Sequence, residues 1–245
     1  MLVPTELILV SNGALHLLPL HAALLKDGTP LIDQYPLVYL SNAALAQTLL
    51  KRREAGDRPT ERLVMGPPGV DLQCAEVETD ELAEDWGLKG ARDPETRQPY
   101  ARERMRVQVL REQARCLERA HLATHSEFDF KDYLRSNIHF YGERLTLAHL
   151  ISDADFDFKG MRLFYLSSCE SGLSALDRTD ELQGLVWSLI YAGAEAVMAS
   201  KFYDHWQPGT SLMQAYQAAL RELRADPNFE NPYYWAPFVL FGNGF

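Results

Sequence analysis

The alternation of short apolar runs with helix-length segments is the feature that most constrains this fold. Strand-like runs occupy Glu6–Val10, Pro36–Leu40, Arg62–Met65, His121–Thr124, Ile138–Tyr141, Met161–Leu166, Glu195–Ser200 and Ala236–Phe241. Helical periodicity and capping residues predict helices over Ala43–Arg53, Ala75–Trp86, Arg102–Ala120, Glu181–Ala192 and Thr210–Arg224. Strands separated by helices favour an α/β fold with a mainly parallel central sheet flanked by helices.

Three local features add more specific predictions. Asn12-Gly13 predicts a hairpin turn that leads from the first strand into another strand at Leu15–Leu20. The charged helix over Arg102–Ala120 is expected to turn Cys116 inward. Gly193 is expected to end the helix that precedes it.

Charge and length exclude several classes of protein. Lys plus Arg is 24 and Asp plus Glu is 34, so the formal charge is −10, which disfavours nucleic-acid binding through a general basic surface. No apolar run approaches the roughly 18–20 residues that span a bilayer, and the N-terminus lacks the basic start of a signal peptide. Without an internal repeat or low-complexity tract, we expect one domain over residues 1–245, soluble and cytoplasmic, with no membrane contact.

The cysteines and histidines show no metal-binding pattern. Cys74, Cys116 and Cys169 form no C-x-x-C pair, and the histidines show no H-E-x-x-H spacing. An odd number of cysteines without a signal peptide indicates free thiols in a reducing compartment.

Two predicted strands end in groups that suit nucleophilic catalysis. His125 follows the run His121–Thr124, and Cys169 follows the run that ends at Leu166 and Ser167-Ser168. In open α/β sheets, ligands bind beyond the carboxyl ends of the strands. If these strands are parallel neighbours, the imidazole can take the thiol proton, and backbone N–H groups of Ser126 and Cys169 can stabilise an oxyanion. The alternative is that each residue is an inert structural side chain.

Several motifs, in the right order along the chain, resemble those of the CHAT-domain proteases, which are caspase-like clan CD cysteine peptidases. His121-Leu122-Ala123-Thr124-His125 is similar to their H-x-A-T-H-G segment, and Leu166–Gly172 to L-S-A-C-E-T-G. Further similar segments are Asn12–Leu20, Ser41–Ala43, Asp180–Leu185 with Ala192–Ala194 and Val197–Ser200, and Trp235–Gly242.

This resemblance implies a caspase-like fold and an endopeptidase whose catalytic dyad is His125 and Cys169, with no metal or organic cofactor. His121 matches the non-catalytic histidine and is expected within the strand. Ser126 stands where the family usually has Gly, which adds a Cβ beside the oxyanion site. Asp129 and Asp204 are candidates for an acid in the S1 pocket.

The resemblance also implies a protein or peptide substrate and regulation by a partner, as in bacterial immune pathways linked to CRISPR or gasdermins. The match occupies nearly the whole chain, so three possibilities stay open: an activating protein or sensor domain in trans, a zymogen released from a longer protein, or a piece of one. An inactive CHAT pseudoprotease that serves as an interaction module is the alternative function. A nucleotide-binding α/β domain is disfavoured, because no phosphate-cradling loop is present.

Overall fold

The strands and helices that the sequence predicts occur in the predicted order, except for the strand at Leu15–Leu20, and further short elements lie between them. The computed structural model describes residues 6–11, 15, 18–54, 59–66, 72–88, 105–168, 174–176, 182–198, 203–206 and 209–244. Its strands are β1 (Leu7–Val10), β2 (Leu37–Leu40), β3 (Glu61–Met65), β4 (Leu117–Ala123), β5 (Ser126–Glu127), β6 (Asn137–Phe140), β7 (Glu143–Thr146), β8 (Leu163–Ser167), β9 (Ser174–Leu176), β10 (Leu182–Gly184), β11 (Ala196–Met198) and β12 (Leu240–Gly242). Its helices are α1 (Leu31–Gln34), α2 (Ala43–Glu54), α3 (Gln73–Asp85), α4 (Val107–Gln113), α5 (Leu147–Ser152), α6 (Leu185–Tyr191), α7 (Leu212–Ala225) and α8 (Pro232–Trp235).

A mainly parallel sheet forms the centre of the molecule, which confirms the predicted fold class. Its strand order is β1-β2-β12-β11-β8-β4-β3 in the described part of the chain. Neighbouring strands are parallel except for β11 and β12, which are antiparallel. Two smaller sheets, β5-β6-β7 and β9-β10, lie outside the central one.

Both faces of the central sheet are buried by helices. Along β8, Phe164 and Leu166 pack on one face, whereas Leu163 and Tyr165 pack on the other, as the two-residue period of a strand requires. The first face is covered by α2, α4, α5 and α6, through Leu49, Leu110, Leu150 and Leu189 among others. The second face is covered by α1, α7 and α8, through Ile32, Met213, Tyr216 and Trp235. Burial on both sides explains why β8 is a continuous apolar run.

Two local predictions are wrong, and both errors concern pairing between distant segments. β1 pairs in parallel with β2, and Leu20–Ala22 forms a 3-10 helix instead of a second hairpin strand; Asn12-Gly13 lies outside the described residues. The helix predicted through Ala120 ends at Gln113, because Leu117 onward joins the sheet as β4.

Two further local predictions are also wrong. Cys116 ends a short 3-10 turn and is exposed, not inward-facing, because the buried residue of that turn is Ala114. Helix α6 starts at Leu185 and not at Glu181, because Leu182–Gly184 pairs with β9. In the described part of the chain, no helix is long and apolar enough to cross a membrane.

Candidate active site

The carboxyl ends of β4 and β8 meet at one edge of the central sheet. The strands are parallel neighbours, and Ala123 lies opposite Ser167. Beyond this pair, the Thr124 N–H donates to the Ser167 carbonyl at 3.0 Å. The condition under which His125 and Cys169 would share a crevice, parallel neighbouring strands, is therefore met. Cys169 itself lies outside the described residues, so its own place at this edge stays a prediction.

The backbone around His125 is held by the small sheet beside it. The His139 N–H donates to the His125 carbonyl at 2.9 Å. The buried Thr124 side chain donates to the His139 carbonyl at 2.8 Å. The His125 side chain is partly exposed, so its backbone is held by these bonds while part of its side chain is in contact with solvent.

Ser126 is the first residue of β5 and begins the small sheet just after the end of β4. In the ladder, His125 and His139 form the hydrogen-bonded pair, so Ser126 and Ile138 form the next, non-hydrogen-bonded pair. The Ser126 N–H therefore points away from β6. Its side-chain oxygen lies 2.9 Å from that of Ser168, the residue before Cys169.

A second histidine, His139, lies beside His125, and the sequence analysis did not single it out. The ring centres of His125 and His139 are 5.7 Å apart, and Nε2 of His139 is 3.0 Å from Oε1 of Glu127. Burial and the nearby Arg144 lower the pKa of His139, while Glu127 opposes this shift. No signal in the sequence marks this pair, since it depends on the pairing of β5 with β6.

His121 lies within β4, as expected, and faces the second face of the sheet. It is 1% exposed and stacks on Tyr165 with ring centres 4.4 Å apart. Burial lowers its pKa to about 3, so this imidazole is neutral at pH 7. Glu78 of α3 approaches to 3.6 Å from Nε2, and this contact therefore joins a carboxylate to a neutral ring.

Glu78 is a carboxylate at the site edge that sequence reasoning missed. Its Oε2 accepts a hydrogen bond from the Ser167 hydroxyl at 3.1 Å, two residues before Cys169. Asp129, the proposed S1 acid, instead accepts the N–H groups of Lys131 and Asp132 through Oδ1. These bonds hold the pKa of Asp129 below its usual range. The side chain of Asp204 lies outside the described residues.

Among the described side chains, no group of three or more His, Cys, Asp or Glu residues is placed to hold a metal ion.

A family model, described as "CHAT domain", matches residues 2–243. This chain belongs to the CHAT domain family. CHAT domains are a caspase-like protease family, so the predicted family is confirmed. Comparison with curated proteins finds no match.

The CHAT fold also appears in a solved structure, the separase–securin complex of Saccharomyces cerevisiae. The alignment has a TM-score of 0.60 and 13% sequence identity, and it covers 97% of this chain. It covers 15% of that chain, so this protein spans about one seventh of its length. At this identity the likeness establishes the fold alone.

Two described residues of this CHAT domain depart from the family motifs given above. Ser126 replaces the Gly of H-x-A-T-H-G, and Ser168 replaces the Ala of L-S-A-C. These two departures are the residues whose hydroxyls lie 2.9 Å apart.

Proposed function

We propose that this CHAT domain is a cysteine endopeptidase in which His125 activates Cys169. The observation that carries the proposal is the junction of β4 and β8, where the Thr124–Ser167 and Ser126–Ser168 contacts bring the His125 loop beside the segment that continues into Cys169. Parallel neighbouring strands have their carboxyl ends at the same sheet edge, which supports a shared site for His125 and Cys169.

The chemistry follows from the two side chains. A free Cys is only a few per cent thiolate at pH 7, so an adjacent imidazole that accepts its proton raises the concentration of nucleophile. The thiolate attacks a peptide carbonyl, and the N–H groups of Ser126 and Cys169 stabilise the oxyanion. His125 then protonates the leaving amine, and water hydrolyses the thioester that remains.

Substrate and regulation form the second part of the proposal. The substrate is a protein, and a partner or sensor domain activates the enzyme in trans, as the family resemblance implies. The separase of the structural match is in complex with securin, which supports protein partners for this fold. We further propose a cytoplasmic enzyme of a bacterial immune or regulatory pathway, one domain over residues 1–245, with Asp129 or Asp204 as the S1 acid.

The decisive experiment is mapping of new N-termini in a cell lysate treated with wild type, Cys169→Ala or His125→Ala. We expect new termini with wild type only, and a loss of at least about 100-fold in His125→Ala because the general base is gone. Cleavage that persists in Cys169→Ala would overturn the assignment.

A thiol-reactive probe separates the enzyme from the interaction-module alternative. Cys116 is exposed and free, and it serves as an internal reference for thiol accessibility. In an enzyme, Cys169 reacts faster than Cys116, and His125→Ala removes the difference. Equal reactivity, unchanged by His125→Ala and by lysate, would favour a pseudoprotease.

A further inference from the structure

The hydroxyl groups of Ser126 and Ser168 join the two loops of the proposed dyad. The Thr124–Ser167 bond is the last backbone hydrogen bond between these segments in the described residues. Past it, the next described contact is the bond between the Ser126 and Ser168 side chains at 2.9 Å. One partner directly follows His125, and the other directly precedes Cys169.

The environment makes this contact effective. Ser126 is 7% exposed, so its hydroxyl has little access to water. Removal of the Ser168 hydroxyl would therefore take away a partner that water cannot easily replace. A polar group left without a partner in a buried place is costly, which is why such pairs hold their geometry. Either oxygen can donate, so the pair tolerates small changes in the neighbouring groups.

The segment before Cys169 is held from the opposite side as well. The Ser167 hydroxyl donates to Glu78 on α3, whereas the Ser168 hydroxyl contacts Ser126 on β5. With Ser168 bound to Ser126, the segment is fixed between α3 and β5. A fixed segment matters because misplacement of a reacting group by 1 Å can cost about 100-fold in rate.

Neither residue of the family motifs could make this bond. Gly at position 126 and Ala at position 168 both lack a hydroxyl. A chain with serine at only one of the two positions would have one of these hydroxyls without the other to bond to. The chain carries both replacements, and they bond to each other. The Cβ that Ser126 adds therefore carries the hydroxyl that makes this contact.

We propose that the Ser126–Ser168 pair is a positioning element that sets the spacing between the His125 loop and the segment carrying Cys169. This inference rests on the proposed function for its catalytic meaning, but the bond itself can be tested without a substrate.

The test is a double-mutant cycle of Ser126→Ala, Ser168→Ala and their combination, with Ser168→Thr as the variant that keeps a hydroxyl. Ser152→Ala, an exposed serine on α5, is the matched control. Two quantities are measured: the rate at which iodoacetamide alkylates Cys169, with Cys116 as reference, and the unfolding equilibrium constant in urea.

We expect each single variant to slow Cys169 alkylation about tenfold and to raise the unfolding constant about fivefold, the effect of one hydrogen bond. The double variant should be no slower than either single one, because the bond is already lost. Ser168→Thr should alkylate at Cys169 as fast as wild type. Ser152→Ala should leave the Cys169 rate and the unfolding constant unchanged, and the Cys116 rate should be the same in all variants.

If the effects of the two single variants multiply in the double variant, the proposed coupling between Ser126 and Ser168 is wrong. It is also wrong if Ser168→Thr does not restore the alkylation rate. Failure of the proposed function would give a different result. If His125→Ala leaves Cys169 alkylation unchanged in otherwise wild-type protein, the dyad and the positioning role fall together, even where coupling in the unfolding constants shows that the bond exists.

Discussion

At the scale of single residues, burial separates the core histidines from the proposed base. His121 and His21 are 1% and 0% exposed, and burial lowers their pKa values to about 3 and about 4. The Tyr39 hydroxyl accepts the backbone N–H of His21 at 2.7 Å and also forms a hydrogen bond with Nδ1 of the His21 ring at 2.9 Å. Both rings are therefore neutral core residues, whereas His125 is partly exposed at the end of its strand.

These two histidines predict acid sensitivity. Between about pH 6.5, the ordinary pKa in the unfolded chain, and pH 3 to 4, the unfolded state binds protons that the native state does not. Stability is therefore full above pH 6.5 and is lost as the pH falls. We expect each histidine to cost about 2 kcal/mol of the unfolding free energy between pH 7.5 and pH 5.

Urea unfolding of wild type and His121→Phe at both pH values checks this. Phe keeps a ring against Tyr165 but cannot titrate, so the variant should lose about 2 kcal/mol less on acidification than wild type. His149→Gln, at an exposed position, is the control. An equal acid loss in wild type and His121→Phe would show that His121 does not carry the effect.

At the scale of elements, the join between α6 and β11 depends on one glycine. Gly193 has φ +125°, and its N–H donates to the Ile190 carbonyl as the helix ends, as the sequence predicts. A Cβ there would lie 2.6 Å from the backbone nitrogen of Lys159 and 2.8 Å from the carbonyl carbon of Phe158. This close approach lets the end of α6 pack against the segment that leads into β8.

We expect Gly193→Ala to destabilise the protein by about 3 kcal/mol or more, since backbone overlap adds to a strained φ. Gly142→Ala is the matched control: Gly142 has φ +70°, but nothing lies within 4 Å of an added Cβ. It should cost only about 1–2 kcal/mol. Thermal unfolding of both variants measures the difference, and equal losses would contradict the overlap.

At the scale of the whole molecule, a chain of charge −10 concentrates three arginines around one glutamate. Arg62 and Arg119 lie opposite each other on β3 and β4, and the pairing skips Glu118. This bulge brings the Glu118 carboxylate to the arginines, 3.2 Å from Nε of Arg119, 3.6 Å from Arg162 and 4.0 Å from Arg62. Burial lowers the pKa of Arg119, and Arg62 and Arg162 lower it further while Glu118 opposes them.

Removal of the Glu118 charge should therefore lower the free energy of unfolding, although Arg62 and Arg162 are about one third exposed. We expect Glu118→Gln to cost about 1–2 kcal/mol at low salt and less at 0.5 M NaCl, because salt screens the remaining repulsion. The control is Glu112→Gln on α4, which removes the same charge from an exposed carboxylate whose described hydrogen bond is to Gln108. Urea unfolding at two salt concentrations decides, and equal losses for both variants would contradict the cluster.

The strand positions were predictable wherever both faces of a strand are apolar. β8 is such a strand: the predicted run Met161–Leu166 ends one residue before the strand itself, which ends at Ser167. The start of β4 was not, because Glu118 and Arg119 resemble a helix surface. Only in the folded molecule does the bulge turn Glu118 toward the arginines, with Cζ of Arg119 stacked 3.9 Å from the centre of the Trp206 ring.

The candidate site divides in the same way. His125 could be named because an apolar strand stops just before it. The Ser126–Ser168 bond, the approach of Glu78 to Ser167 and the pairing of His139 with Glu127 could not, since each joins segments that are distant in the chain or brought together by a turn.

The sequence by itself determined the α/β class, the order of the main elements and the place of His125 just after a strand. Hydrophobic periodicity and turn residues are local properties, so they can be recognised in a single sequence. The tertiary structure decided which strands are neighbours, that β11 and β12 run antiparallel, and which serines meet at the site edge. These depend on long-range pairing, where many registers satisfy the same local pattern and only packing of the whole core selects one.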